Sequence, residues 1–560
     1  MMFGLARDWS ERPMLRGYRS GKWHSITWGA FGRMAAAAAR GLRAVGVSAG
    51  DRVVIVSENR PEYPIAETAL MAVRAVPVPT YTTNTVPDHA HILKDSGARA
   101  AIFSTPALGR RLQEAGRQAG RLDLLISMDD RPHVEDEGVR IVPWEELVRH
   151  RGPADEIALE AAEIEGGAPA CLLYTSGTGG TPKGVMLPHR AILANCRGAF
   201  ERMRPLNMRD EVYLSFLPLA HAFEHTAGQF FLLSTGAEIV YARSVEALAT
   251  DLQMIKPTIM IVVPRLLEAM RTRMLMQLGR EPNWRRGLFE RAMAVGMRRL
   301  EGRLSLADRI LDPLLESLVR QRIRARFGGR LKAMMSGGAP LDSDVGRFFL
   351  ALGIKVMQGY GQTEAGPVIS ANPPDAIRID TVGPPLPGVE VRIAEDGDIL
   401  VRGELVMDGY WSQPEATREV IRDGWLHTGD VGEQDADGYL RITDRKRDLI
   451  VLSGGENVSP ARIEAMLMAE PEIAQAVIAG EGRSGLLALV VPSYEHDEAE
   501  AAVAVAVSRV NQRLSVTERI RRHIPVQPFT VDNGLLTPTQ KIRRLLVLRA
   551  HTETLARPHP

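Results

Sequence analysis

Cysteine is nearly missing from this sequence. Its 560 residues hold two, Cys171 and Cys196, too few to staple a chain of this length, and nothing in their placement calls for an oxidising compartment. An excess of one charge is missing too. Lys and Arg number 69 against 68 Asp and Glu, a net charge of +1, so no global field argues for a nucleic-acid partner. Long apolar runs are also absent. No stretch approaches the roughly 20 uninterrupted apolar residues of a membrane span, and residues 1–9 lack the apolar segment of a signal peptide. The expectation is a cytoplasmic protein, at most peripheral to the inner face of a membrane.

What is present is ordinary for a soluble globular protein, with 45% hydrophobic and 24% charged residues. At 560 residues the chain exceeds the size at which one core stops growing, so several packed subdomains are expected. In the first half, short β-branched runs alternate with helical patterns. Residues 52–57 (RVVIVS), 76–80 and 99–103 read as buried strands, with helices over 64–75 and 89–96. The rhythm returns with strands at 238–242, 259–263, 332–335 and 355–358 and helices over 245–255 and 342–352. Such alternation argues for largely parallel sheets covered on both faces.

From about residue 381 the texture changes. Residues 389–393, 398–402 and 439–442, separated by Gly, Pro and Asp, read as a small β-rich lobe. After 444–448 come a strand at 449–452, a helix over 459–469, strands at 475–479 and 487–491, further helical segments and a final loop. The expected fold class is α/β: two parallel-type α/β subdomains with a β-rich lobe over 1–443, then a small mobile α+β domain over 444–560.

Residues 283–330 stand apart, helical in pattern and rich in arginine. Two readings apply: a solvated helical insertion, or a basic face for anionic lipid or ligand phosphates. Glu290, Glu301, Asp308, Asp312 and Glu316 dilute the charge and favour the first.

The strongest local signal is Tyr174-Thr175-Ser176-Gly177-Thr178-Gly179-Gly180-Thr181-Pro182-Lys183-Gly184, which follows an apolar run. Glycines let backbone N–H groups crowd round phosphate oxygens, hydroxyls donate further bonds, and a lysine neutralises charge. It is not the common P-loop, since Lys183 lies between Pro182 and Gly184 and GxxxxGK[ST] fails. The loop resembles the phosphate loop of the adenylate-forming superfamily, with Gly179 where the usual loop carries Thr.

Further stretches resembling that superfamily follow in its order. Ser336-Gly337-Gly338-Ala339-Pro340-Leu341 resembles the adenine-pocket wall, implying contacts from Gly338, Ala339 and Pro340. In Gly359-Tyr360-Gly361-Gln362-Thr363-Glu364, the resemblance implies Tyr360 on adenine, Thr363 at the α-phosphate, and Glu364, with Thr178, on Mg²⁺. Asp430, closing Gly424-Trp425-Leu426-His427-Thr428-Gly429-Asp430, is implied to bind both ribose hydroxyls. Asp444-Arg445-Lys446-Arg447-Asp448 resembles the hinge, with Arg445 near the ribose and Arg447 at the pivot. Leu536-Thr537-Pro538-Thr539-Gln540-Lys541 resembles the loop that delivers the catalytic lysine, Lys541.

The chemistry agrees with that set. A carboxylate is already ionised at neutral pH, so its attack on the α-phosphorus needs no general base. It needs two anions aligned and their repulsion cancelled, a task for electrostatic stabilisers.

His221-Ala222-Phe223-Glu224-His225 matches H-x-x-E-H, a zinc-hydrolase pattern. It sits after a strand-like run over 213–219 with no third ligand apparent, and metal ligation would need both histidines on one helix face. The same stretch resembles the acyl-site motif of long-chain acyl-CoA synthetases, which implies His221 beside the reacting carboxylate. Ser57-Glu58-Asn59-Arg60-Pro61-Glu62 and Gly455-Glu456-Asn457-Val458-Ser459-Pro460 also resemble the fatty acyl branch. Small Gly337 and Gly338 would leave room for a chain.

The resemblance thus implies a medium- or long-chain fatty acid, ATP and coenzyme A as substrates, with Gly454, Gly455 and Glu456 along the pantetheine channel. Alternatives are a fatty acyl-AMP ligase loading a carrier protein, a ligase for an aryl or branched acid and, more remotely, a non-enzymatic acyl-nucleotide sensor. The assembly expected is a monomer or homodimer.

Overall fold

Runs of buried Val, Ile, Leu and Ala lay out two parallel sheets. The computed structural model describes residues 1–129, 138–175, 181–446, 448–454, 456–493, 499–537 and 541–556. One sheet is parallel throughout, in the order Val76–Thr80, Arg52–Val56, Ala100–Phe103, Leu124–Ser127 and Arg140–Pro143. Its central strands are buried on both faces, which is why they read as unbroken apolar runs.

The second sheet has eight strands. Val356–Gly361, Ala333–Ser336, Ile259–Val262, Val212–Ser215, Glu238–Tyr241 and Pro13–Arg19 run parallel across its middle, with antiparallel Val368–Ala371 and Lys22–Thr27 at the edges. The N-terminal hairpin lies beyond what the sequence reading anticipated. Its turn is Ser20-Gly21, both at positive φ, the backbone that a two-residue hairpin turn requires.

The β-rich lobe forms around Glu390–Ile393, Asp398–Arg402, Trp425–Gln434 and Leu440–Arg445. Beyond it, Ile473–Ala479, Leu486–Pro492 and Ile520–Pro525 make a three-stranded sheet. Two cores contain only residues from Ile450 onward, so the C-terminal domain packs on apolar contacts of its own. After Lys541 the chain forms helices Arg544–Ala550 and Thr552–Ala556, where a final loop was expected. Val547 is buried in the second of these cores and holds the first of those helices in place.

The arginine-rich stretch is helical, as its pattern implied. It forms helices Asn283–Leu300 and Leu306–Leu315, a π-turn at Glu316–Arg320 and helix Gln321–Ala325. Arg320 is fully buried, donating to Asp312 at 2.7 Å and to the Ala292 carbonyl at 3.0 Å. Several of its charges are therefore internal struts rather than solvated ones. Among the described residues no helix is long and apolar enough to cross a membrane.

Candidate active site

The parallel strands Ala333–Ser336 and Val356–Gly361 end at a cleft of about 1120 Å³. Open α/β sheets place ligands at the carboxyl ends of their strands for this topological reason. Gly337 and Gly338 continue the first strand into the wall, and Gly359, Tyr360 and Gly361 come from the second. Only glycine fits at 361, because a Cβ there would lie 1.9 Å from the Pro367 carbonyl oxygen.

The glycine-rich loop is carried by a hairpin. Pro169–Thr175 pairs antiparallel with Lys183–Pro188, and Thr175 stands opposite Lys183 at its mouth. Both line the cleft. His91 bonds the Pro182 carbonyl at 2.8 Å and Tyr174 donates to Asp95 at 2.6 Å, so the ends of the loop are fixed. Ser176, Gly177 and Thr178 lie outside the described residues.

Thr363 and Glu364 sit in a short turn, Thr363–Ala365, that enters the cleft. The Tyr410 hydroxyl donates to Oε1 of Glu364 at 2.8 Å, and Lys183 Nζ lies 4.8 Å from the centre of the Tyr410 ring. Tyr410 therefore links the hairpin lysine to the carboxylate. Sequence reasoning missed it. The available signal was the aromatic pair Tyr410-Trp411 behind Gly409, a glycine held at φ 135°.

Asp430 is buried, with its oxygens divided between Tyr360 Oη at 2.7 Å and Arg445 Nε at 2.8 Å. Thr428, Gly429 and Arg445 face the cleft beside it. The Tyr360 phenol is pushed well above its usual range by burial and then by the Asp430 charge. His427 and the Gly429 amide both bond Asp398, each at 3.1 Å, which fixes this strand against its neighbour.

Lys541 comes to the same cleft from the C-terminal domain. Its backbone is tied to Thr537: the Thr537 amide donates to the Lys541 carbonyl at 2.8 Å, and the Lys541 amide donates to Thr537 Oγ1 at 3.0 Å. Surrounding protein lowers the ammonium pKa, and Arg445 lowers it further against the pull of Asp430.

His221 lines the cleft, with Nδ1 accepting from the Phe223 amide at 3.2 Å. Burial, then the Lys541 charge, hold its pKa down at about 4. At neutral pH the imidazole is uncharged, and with Nδ1 accepting, its proton sits on Nε2.

The rest of H-x-x-E-H points elsewhere. Glu224 accepts from Tyr213 and, at 2.6 Å, from Ser215. His225 bonds Glu67 at 2.7 Å, and Gln229 donates to the other Glu67 oxygen at 2.7 Å. The motif is split among three sets of partners, and the Glu224–Phe231 stretch winds as a π-helix. Among the described residues no His, Cys, Asp and Glu group is arranged to hold a metal ion.

Other expected members stand apart. Ala339 and Pro340 are exposed and do not line the cleft, since the chain turns away at Gly338 (φ 81°) toward the helix cap at Asp342. The room expected at Gly337 is taken, because a Cβ there would meet the Phe223 ring at 2.9 Å. Gly454 and Glu456 are exposed and away from the cleft, while Gly455 and Arg447 lie outside the described residues. Leu545, Leu546 and Arg549 add a wall that the sequence did not reveal.

The sequence pattern of the AMP-binding enzyme family matches residues 5–411, and that of the AMP-binding enzyme C-terminal domain matches 447–555. The chain belongs to the AMP-binding enzyme family. Within the family, the long-chain-fatty-acid–CoA ligase FadD15 of Mycobacterium tuberculosis is 33% identical, with 98% of this chain and 94% of the relative covered. The chloroplastic long-chain-fatty-acid–[acyl-carrier-protein] ligase AEE15 of Arabidopsis thaliana is 29% identical, covering 92% of this chain and 80% of the relative. An O-succinylbenzoate coenzyme A synthetase from Bacillus subtilis, solved with ATP and magnesium ion, matches with a TM-score of 0.71 at 21% identity, covering 97% of this chain and 98% of that one. That last likeness is one of fold: a large α/β region followed by a smaller C-terminal domain.

Proposed function

We propose that this enzyme activates a medium- or long-chain fatty acid with ATP and transfers the acyl group to coenzyme A. In the first step a carboxylate oxygen attacks the α-phosphorus, the bond to the β-phosphate bridging oxygen breaks, and pyrophosphate leaves. In the second the coenzyme A sulfur attacks the acyl carbon, the carbon–oxygen bond to phosphate breaks, and AMP leaves.

The observation that carries this reading is the convergence of Lys541, His221, Thr363, Thr175 and Lys183 on one cleft. Lys541 is assigned to bridge carboxylate and phosphate, cancelling their repulsion where charge shifts in the transition state. Neutral His221, with its proton on Nε2, suits hydrogen bonding to the incoming carboxylate. Thr363 is assigned to the α-phosphate, and Thr175, Ser176, Gly177, Thr178 and Lys183 to the remaining phosphates. Asp430 and Arg445 are assigned to the ribose.

The cleft also fits Mg²⁺. Glu364 offers a carboxylate with one oxygen held by Tyr410, the sparse protein donor set that suits an ion held mainly by phosphates and water. Glu364 and Thr178 would hold it, and when bound it neutralises charge on the phosphates.

Gly454, Gly455 and Glu456 are assigned to coenzyme A, in a second orientation of a domain spanning 444–560 that turns about Arg447 against residues 1–443. The FadD15 relative supports fatty acid and coenzyme A. AEE15 supports a carrier protein as the acceptor of the second reading.

Pyrophosphate exchange into ATP against a panel of acids, with and without coenzyme A, tests the assignment. Exchange driven by fatty acids alone and thioester formed only with coenzyme A are expected. No acid-dependent exchange overturns it.

A further inference from the structure

Helix Leu306–Leu315 carries two apolar sides: Leu315, with Leu311, packs into the core, but a second apolar stripe faces outward. Leu306, Ile310 and Leu314 recur every four residues and so share one stripe, and they are 78%, 82% and 51% exposed. Its two carboxylates point inward. Asp308 is buried and accepts from Arg298 at 2.8 and 2.6 Å, while Asp312 pairs with Arg299 and with fully buried Arg320. A surface helix ordinarily turns its apolar face to the core and its charges to water. Here carboxylates are buried beneath a helix that leaves Leu306, Ile310 and Leu314 wet, an arrangement costly in water on both counts.

Leu300, the last residue of the preceding helix, is exposed as well. The segment that carries this helix is basic. Residues 264–330 hold sixteen arginines against seven acidic residues, an excess of nine positive charges in a chain whose net charge is +1. Arg303 and Arg309, on either side of Leu306 in the chain, are both exposed.

We propose that this helix lies in the surface of an anionic lipid bilayer, with Leu306, Ile310 and Leu314 among the acyl chains and the surrounding arginines at the headgroups. Three considerations select that occupant. The stripe is the convex side of one helix rather than a groove, a shape suited to immersion in a plane. The positive excess attracts anionic headgroups and repels the same face of a second copy, which a two-fold dimer would bring against itself. The inward ion pairs also fix the helix with its apolar side outward, so no repacking is needed on docking.

The test is co-sedimentation of the full chain with vesicles of phosphatidylcholine alone or mixed with phosphatidylglycerol. Binding to the mixed vesicles is expected, falling by at least about tenfold for L306S/I310S/L314S, each side chain losing several buried methylenes. It should also weaken in R303E/R309E and at high salt, which screens the headgroup attraction. An unchanged circular dichroism spectrum and thermal midpoint show that the variants are folded. Equal binding by the triple variant overturns the proposal, as does failure to bind either vesicle. A concentration-dependent dimer in light scattering that the triple variant abolishes overturns it too, assigning the face to a second copy.

Discussion

The Tyr360 hydroxyl donates to one oxygen of Asp430 at 2.7 Å while Arg445 donates to the other at 2.8 Å, so a strand of the eight-stranded sheet and two strands of the β-rich lobe meet on one buried carboxylate. A ribose that takes both oxygens must displace both donors. Asp430→Ala is expected to raise the ATP KM by roughly 10- to 100-fold, the size of losing hydrogen bonds to a charged group. Tyr360→Phe keeps the ring and should change it only severalfold. An unaltered KM in Asp430→Ala would remove this carboxylate from the nucleotide site.

Lys541 lies in the cleft while Gly454 and Glu456 lie outside it, so one substitution should silence one half-reaction. Lys541→Ala is expected to lose adenylation by a factor on the order of 10²–10³, yet still convert supplied acyl-adenylate and coenzyme A to thioester. Arg447→Pro should do the reverse, since a fixed φ at the proposed pivot would block rotation. Equal loss of both steps in both variants would mean that a single static site serves them.

Glu364 is approached by the Tyr410 hydroxyl, which in turn packs near Lys183. Glu364→Ala should abolish Mg²⁺-dependent pyrophosphate exchange, and Tyr410→Phe should weaken the Mg²⁺ dependence by about tenfold, the order of one charge-assisted hydrogen bond. Wild-type exchange in Glu364→Ala would place the metal elsewhere.

Burial pushes the Glu224 carboxyl up to about 7 against the opposing bonds from Ser215 and Tyr213. The folded state therefore holds the proton more tightly than the unfolded chain, whose carboxyl titrates near 4.5. Stability from this group is complete below the unfolded value and is lost as pH rises to about 7. The thermal midpoint of wild type should fall relative to Glu224→Gln across that window. A constant difference between the two would show that Glu224 does not titrate there.

The sheets were legible because parallel strands buried on both faces read as apolar runs, as residues 53–56 do within Arg52–Val56. The meeting of Lys541 and Glu364 on one cleft was legible through motif resemblance. What escaped depends on direction in space. Periodicity shows that Leu306, Ile310 and Leu314 share a stripe but not which way it faces; Leu315 of the same helix is buried while this stripe is exposed. Gly337 looked like open space, and only packing puts the Phe223 ring there. Tyr410 acts through a contact with Glu364 that no local pattern encodes.

The chain passes once from the large region into the domain that carries Lys541, so this lysine reaches the cleft as a tethered reagent. A short tether supplies its partner at an effective concentration in the millimolar range. Produced as two separate polypeptides at micromolar concentration, the halves would each keep a core yet leave the cleft without its lysine most of the time. The covalent link thus acts as a local concentration of ammonium that no dilution in solution can lower.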